Sequence, residues 1–175
     1  MNTVKHFITI THHRWLVRHY CFKVGLFKQG LLHDLSKYSP TEFFKGVKYF
    51  RGVGSPIAKE RQINGYSLAW LHHKGRNKHH AEYWVDLNKE KSTYLPIPMP
   101  KKYIVESLMD HIAASKVYNK KNFEPIKVKE YFEKEIAYVP YHEETKEELR
   151  KLIDFYVEHS MKETYKFIKK TYLKK

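Results

Sequence analysis

Between Val4 and Phe27 the apolar residues Phe7, Ile8, Trp15, Leu16, Cys21, Phe22, Val24 and Leu26 recur mostly at helical spacings, with no Pro or Gly before Gly25. The pattern predicts one long amphipathic helix. Gly30 then opens a short apolar segment, Leu31-Leu32-His33-Asp34-Leu35. Ser39-Pro40-Thr41-Glu42 has the form of a capping box with proline at the first helical position, so a helix is expected from Pro40 to about Phe50, ending near Gly52 and Gly54. A further helix should begin around Ser55-Pro56 and carry Ala58, Ile63, Leu68, Ala69 and Trp70, with Gly65 inside it; Lys74-Gly75-Arg76-Asn77 reads as a break.

A short helix is expected from Lys78 to Leu87, followed by the Pro96, Pro98, Pro100 stretch, which cannot lie inside a helix. The helical period returns from Lys101 to Tyr118 through Tyr103, Ile104, Leu108, Ile112, Ala113 and Val117, and two more helices are expected near Val128 to Glu135 and Glu143 to Thr171. No alternating pair of strands and no repeat stands out. The chain reads as all-α and as one domain over residues 1–175, in which helices from about 4 to 118 surround any site and helices from about 128 to 171 pack against them.

Composition narrows the class. At 42% hydrophobic and 15% aromatic residues, 175 residues can bury a core without staples, which excludes a disordered chain. A lone cysteine, Cys21, excludes an internal disulfide and a Cys-based zinc site, and points to a reducing compartment. The start of the chain lacks an apolar signal core, and no stretch approaches the roughly 18 apolar residues of a membrane helix. A soluble, cytoplasmic protein with no membrane partner is therefore expected. With 33 Lys+Arg against 19 Asp+Glu, the formal charge of +14 favours nucleic acid or phosphate-bearing small molecules.

Candidate chemistry is concentrated in histidine. His12-His13, His72-His73 and His79-His80 form three adjacent pairs, whereas His6, His111, His142 and His159 read as ordinary polar residues. His33-Asp34 differs, because an imidazole beside a carboxylate inside an apolar segment is costly to bury without a partner such as a metal ion. Helical neighbours diverge by about 100°, so His33 could bind one ion edge while Asp34 binds another or bridges two. His73 and His80 are seven residues apart, as are His72 and His79, but Gly75 and Asn77 interrupt any helix there, so spacing does not choose between the pairs.

Leu31-Leu32-His33-Asp34-Leu35-Ser36-Lys37 resembles the central signature of the HD superfamily of metal-dependent phosphohydrolases. The resemblance implies an HD-domain-like helical bundle in which an earlier helix gives a His, the His-Asp pair sits on a second helix, and a later helix gives a final Asp. It implies Asp110, within Met109-Asp110-His111-Ile112-Ala113-Ala114, as that last ligand, and His13 as the first, with His12 and His19 as alternatives. The longer run from His33 to Pro40, with Trp70-Leu71-His72-His73-Lys74-Gly75-Arg76-Asn77-Lys78-His79-His80 and Glu82-Tyr83-Trp84, is similar to a bacterial and phage-type family catalogued only as a domain of unknown function. That likeness spans nearly the whole chain. Some HD branches add histidines for a second metal, which implies His73 with His79 or His80 as ligands; the expectation places His73 and His80 there, with His79 left to catalysis or substrate. This sequence packs those histidines more tightly than the better-known branches. Lys37 holds the place of a lysine that many HD proteins carry three residues after the Asp, and is implied as catalytic.

Lys74 and Arg76, close in sequence to these histidines, are expected to bind phosphate. Tyr38, Tyr83 and Trp84 are candidates for stacking on a base or for core packing. The resulting expectation is a metal-dependent phosphohydrolase acting on a nucleotide or another phosphate ester. One or two divalent ions from Mn, Fe, Ni, Co or Zn suit a mixed imidazole and carboxylate set without cysteine. Two alternatives stand beside it. A non-enzymatic, basic nucleic-acid-binding helical protein explains the charge but leaves His33-Asp34 without a role, and a di-iron oxygenase on the HD scaffold would use a similar ligand set. A carboxylate-bridged dimetal bundle needs Glu-x-x-His pairs, which the sequence lacks.

Overall fold

In the computed structural model, which describes residues 2–173, the first apolar run forms one long helix, as expected, but the helix ends at Lys23 and not at Phe27. Helix α1 (Asn2–Lys23) stops before Gly25, and α2 (Phe27–Leu32) packs against its end. Gly25 takes φ +85°, a left-handed conformation that costs glycine nothing, and the Leu26 N–H bonds back to the Cys21 carbonyl at 2.9 Å. A Cβ on Gly30 would lie 3.0 to 3.1 Å from Cys21 and Phe22, so glycine there permits the close approach of α2 to α1.

Ser39 caps α3 (Pro40–Tyr49) by accepting the Glu42 N–H, as expected. The predicted helix from Ser55 to Trp70 is α4 (Pro56–Asn64) and α5 (Leu68–Lys74): Gly65 at φ +81° ends the first, and Ser67 caps the second by accepting the Trp70 N–H. The helix expected over Lys78–Leu87 is absent. One tight turn at Ala81–Tyr83 leads into β1 (Val85–Leu87), which pairs antiparallel with β2 (Tyr94–Pro96), Val85 opposite Pro96. Three-residue strands are too short to show alternation, and the proline lies at the end of an edge strand, where it is tolerated.

Helix α6 (Lys101–Asn119) follows, then α7 (Ile126–Glu135), α8 (Glu143–Glu158) and α9 (Met161–Thr171). The last two were expected as one helix. They separate at His159-Ser160, where Ser160 and Glu163 form a complete capping box that starts α9. Apart from the ribbon, the described residues form an all-α fold, as the periodicity predicted.

Helix α6 is its axis, because it is buried almost all round. Val105, Leu108, Met109, Ile112 and Ala113 pack in one core with Val17 and Cys21 of α1, Phe132 of α7, Leu149, Leu152 and Ile153 of α8, and Ile168 of α9. Glu106 and His111 are buried on the same helix. No helix among the described residues is long and apolar enough to cross a membrane.

Candidate metal centre

Four segments bring imidazoles and carboxylates together around Asp34. His13 comes from the buried face of α1, in line with Ile10 and Val17. Glu106 and Asp110 come from α6, four residues apart and therefore on one face. His73 comes from α5, and His79 and His80 from the segment that follows. Asn77, itself buried, holds that segment in place: its side-chain amide donates to the His73 carbonyl and to the Ser36 hydroxyl, both at 2.8 Å.

His33 and Asp34 lie in the turn after α2, outside the helix that the HD resemblance implied for them. Asp34 takes φ +53° and ψ +24°, a left-handed conformation that aspartate visits more readily than most residues. This backbone turns two adjacent side chains toward one centre, where a helix would have splayed them.

The Asp34 carboxylate is fully buried, and its two oxygens face different groups. Oδ2 lies 3.4 Å from His13 Nε2 and 3.4 Å from His33 Nε2, and Asp110 Oδ1 completes that side at 2.9 Å from His13 Nε2. Oδ1 lies 3.3 Å from His73 Nε2 and 3.5 Å from His79 Nε2, with His80 Nε2 2.9 Å from His73 Nε2. Asp34 Oδ1 and His79 Nε2 have no hydrogen-bond partner although both are buried.

Two groups of four potential ligands thus share Asp34: His13, His33, Asp34, Asp110, and Asp34, His73, His79, His80, each with its ligand atoms within 4.8 Å of one another. Metal–nitrogen bonds of about 2.0 to 2.1 Å place neighbouring ligand nitrogens roughly 2.9 to 3.4 Å apart. The observed 2.9 and 3.4 Å between paired Nε2 atoms match that spacing.

Two glutamates that the sequence reading passed over orient the rings. Glu106 Oε1 is 2.9 Å from His33 Nδ1 and 3.3 Å from His79 Nδ1. Glu42 Oε2 is 2.8 Å from His73 Nδ1, while its other oxygen is 2.6 Å from His72 Nδ1. For His33, His73 and His79 this engages Nδ1 and leaves Nε2 to face Asp34, the arrangement that fixes metal-binding histidines. The position of Glu106 one turn before Asp110 was a usable signal. Glu42 looked like half of a capping box, but its side chain turns away to the histidines.

The charge states suit cation binding. Burial alone would raise the Asp34 and Asp110 carboxyls, but neighbouring cations and imidazoles hold both well below the usual carboxylate range. Burial lowers His73, and burial with His79 and His73 nearby lowers His80 much further, so both rings are neutral with a lone pair to offer. For His33 burial is outweighed by Asp34, Asp110 and Glu106, which raise it to about 10. A divalent cation would replace that proton as the positive charge.

A cleft of about 960 Å³ reaches this cluster, lined by His13, His73, His80 and Asp110, with Ile10, Phe50, Trp70, Tyr118 and Tyr131 among its walls. Lys37 lines it as well and pairs with Asp34 Oδ2; burial is outweighed by Asp34, which raises the ammonium pKa. Lys74 and Arg76 are not part of the lining, and the exposed Arg76 guanidinium donates to the His72 carbonyl at 3.1 Å. Lys45, Arg61 and Lys127 are the other cations of the wall.

His72 stays outside the cluster as a partner of Glu42, and His12 and His19 are exposed on α1. Tyr38 carries Arg14 over its ring, and Trp84 donates to the Lys78 carbonyl; neither these two nor Tyr83 reaches the cleft. His6 and His111, read as ordinary polar residues, are buried in its wall. His111 pairs with Glu135 at 2.8 Å, which overcomes burial and raises it to about 9.

The chain belongs to a family of unknown function, DUF5662, whose model matches residues 2–155 and so takes in every residue of the cluster. No curated protein and no solved structure matches it.

Proposed function

We propose that the protein is a metal-dependent phosphohydrolase of the HD type, acting on a nucleotide or another phosphate ester bound in the cleft. The observation that carries the reading is Asp34, a fully buried carboxylate whose two oxygens face two separate sets of imidazoles. His13, His33, Asp34 and Asp110 would hold one divalent ion, and Asp34 with His73, His80 and His79 a second. His79 thereby moves from the catalytic role expected of it toward a ligand role, because its Nε2 is orphaned beside Asp34. Bound divalent ions lower the pKa of water to a useful range and polarise a phosphoryl oxygen. The donor set favours Mn, Fe, Ni, Co or Zn over an all-oxygen magnesium site.

The protein's own groups supply the rest. Glu106 and Glu42 keep the Nε2 atoms of three histidines aimed inward. Lys37, at the cleft wall beside Asp34, offers a fixed positive charge to an anionic substrate, which favours phosphate chemistry over the oxygenase reading of the same ligands. The apolar and aromatic walls would exclude water from the organic part of the substrate.

The test is metal analysis of the full chain purified without a His tag, followed by phosphate release from a panel of nucleotides and simple phosphate esters. One or two equivalents of metal and chelator-sensitive phosphate release are expected, both lost in Asp34→Asn. Failure to retain any of the five ions, or metal-dependent oxygen consumption without phosphate release, overturns the reading.

A further inference from the structure

Helix α1 is apolar on two opposite faces. One packs into the core through Ile10, Val17 and Cys21 and presents His13 to the cluster. The other carries Val4, Ile8, Trp15 and Phe22, spaced by four, seven and seven residues and therefore along one stripe. These side chains are 63%, 59%, 51% and 38% exposed. The Phe22 ring meets Phe27 of α2 edge-on at 5.2 Å, and Phe27 and Leu31, one turn apart and both more than half exposed, carry the stripe onto α2. Scattered apolar residues are ordinary on a surface, but a continuous ridge marks a contact face.

The charge carried by α1 and α2 themselves has one sign. Residues 1–81 hold 14 Lys and Arg and only three acids, Asp34, Glu42 and Glu60, all of them buried. Lys5, Arg14, Arg18, Lys23 and Lys28 lie on α1 and α2 with no exposed carboxylate among them. Trp15, Arg18, His19, Phe22 and Lys23 form one open patch on the surface of α1, which sets aromatic rings and cations side by side.

We propose that this face of α1 and α2 docks on an anionic membrane surface, with Ile8, Trp15, Phe22, Phe27 and Leu31 entering the interface and the flanking cations meeting lipid phosphates. An aromatic-rich ridge bordered by Lys and Arg is the composition of helices that lie in the plane of a bilayer. A second copy of the chain fits poorly, because it would bring the same unbalanced cations against these. Nucleic acid would use the cations and leave the aliphatic ridge wet. The sequence expectation of no membrane partner rests on the want of a long apolar helix, which holds among the described residues and does not bear on surface docking. The proposal is independent of the metal reading.

The test is co-sedimentation of the full chain with vesicles of phosphatidylcholine alone and of phosphatidylcholine with one third phosphatidylglycerol. Binding to the anionic vesicles and little to the neutral ones is expected. Ile8→Ser with Trp15→Ser should lower partitioning about tenfold or more. Arg18→Glu with Lys23→Glu should do the same at low salt. All four side chains are exposed on α1, so circular dichroism should be unchanged. Absence of binding to anionic vesicles overturns the proposal. So does loss of binding in the charge variant with the apolar variant intact, which assigns the face to a polyanion, or a sedimenting dimer that the apolar variant dissolves, which assigns it to a second copy.

Discussion

Glu106 Oε1 stands 2.9 Å from His33 Nδ1 in the buried centre of the fold, and through that contact α6 sets the ring orientation of a residue 73 positions earlier in the chain. The same oxygen reaches His79 at 3.3 Å, so one carboxylate aligns a histidine from each half of the cluster. Removing its charge while keeping its shape tests this coupling. Glu106→Gln should weaken metal binding about 10- to 100-fold, measured by competition with a chromogenic chelator. Unchanged affinity would show that the rings hold their orientation without it.

The left-handed turn at Asp34 separates a backbone role from a ligand role. Asparagine tolerates that conformation as aspartate does, whereas most residues with a Cβ are strained by about 1 to 2 kcal/mol. In metal-free protein, urea unfolding should therefore place Asp34→Ala below Asp34→Asn by about that amount. Equal stability would mean that the turn relaxes.

The helical character of the chain was legible because its long elements keep a 3.6-residue period, and breaks were missed where a single residue overrode it. Gly25 and Gly65 end α1 and α4 by taking positive φ, a choice that periodicity does not record. The Ser160 to Glu163 box that divides α8 from α9 was present in the sequence, but continuous apolar spacing concealed it. At the site, the motif identified the side chains that now surround Asp34. It could not reveal Glu42, whose local role as a cap and distant role beside His73 coincide in one residue. Nor could it show that Arg76, two residues after Lys74, points away from the cleft.

Gly46 on α3 is fixed by contact, not by conformation. A Cβ there would collide with the ring of His6, which is buried between Phe43 and Phe50 at centroid distances of 5.5 and 5.6 Å. Gly46→Ala should cost about 1 to 3 kcal/mol in thermal or urea unfolding, because both helices must shift. Adding His6→Ala should recover part of that loss. An additive double variant would place the strain elsewhere.

Cys21 is fully buried, and its thiol pKa is raised first by burial and then by the negative charges of Glu106 and Asp110. The folded thiol thus stays protonated where an unfolded one ionises, near pH 8.5. Two outcomes follow from this sign. Iodoacetamide labelling at pH 8 to 9 should proceed only as fast as the chain unfolds, and stability should fall as pH rises through that range, since only the unfolded state gains from losing the proton. Rapid labelling of the native chain would contradict the packing of α1 against α6.

Lys37 and Arg76 were both expected to serve an anionic substrate, and the structure separates them by position. Lys37 lines the cleft and touches Asp34, while Arg76 is exposed and tied to the His72 carbonyl. A cation acts on a transferring phosphoryl group only if it is fixed near the place where charge develops. Lys37→Gln should accordingly lower kcat/KM for a phosphate ester about 100-fold with metal content retained. Arg76→Ala should change it by no more than about twofold, as expected of a solvated surface charge. Equal losses in both variants would mean that the segment around Arg76 swings toward the cleft when substrate binds, and the cleft as described would then be the wrong account of how phosphate is held.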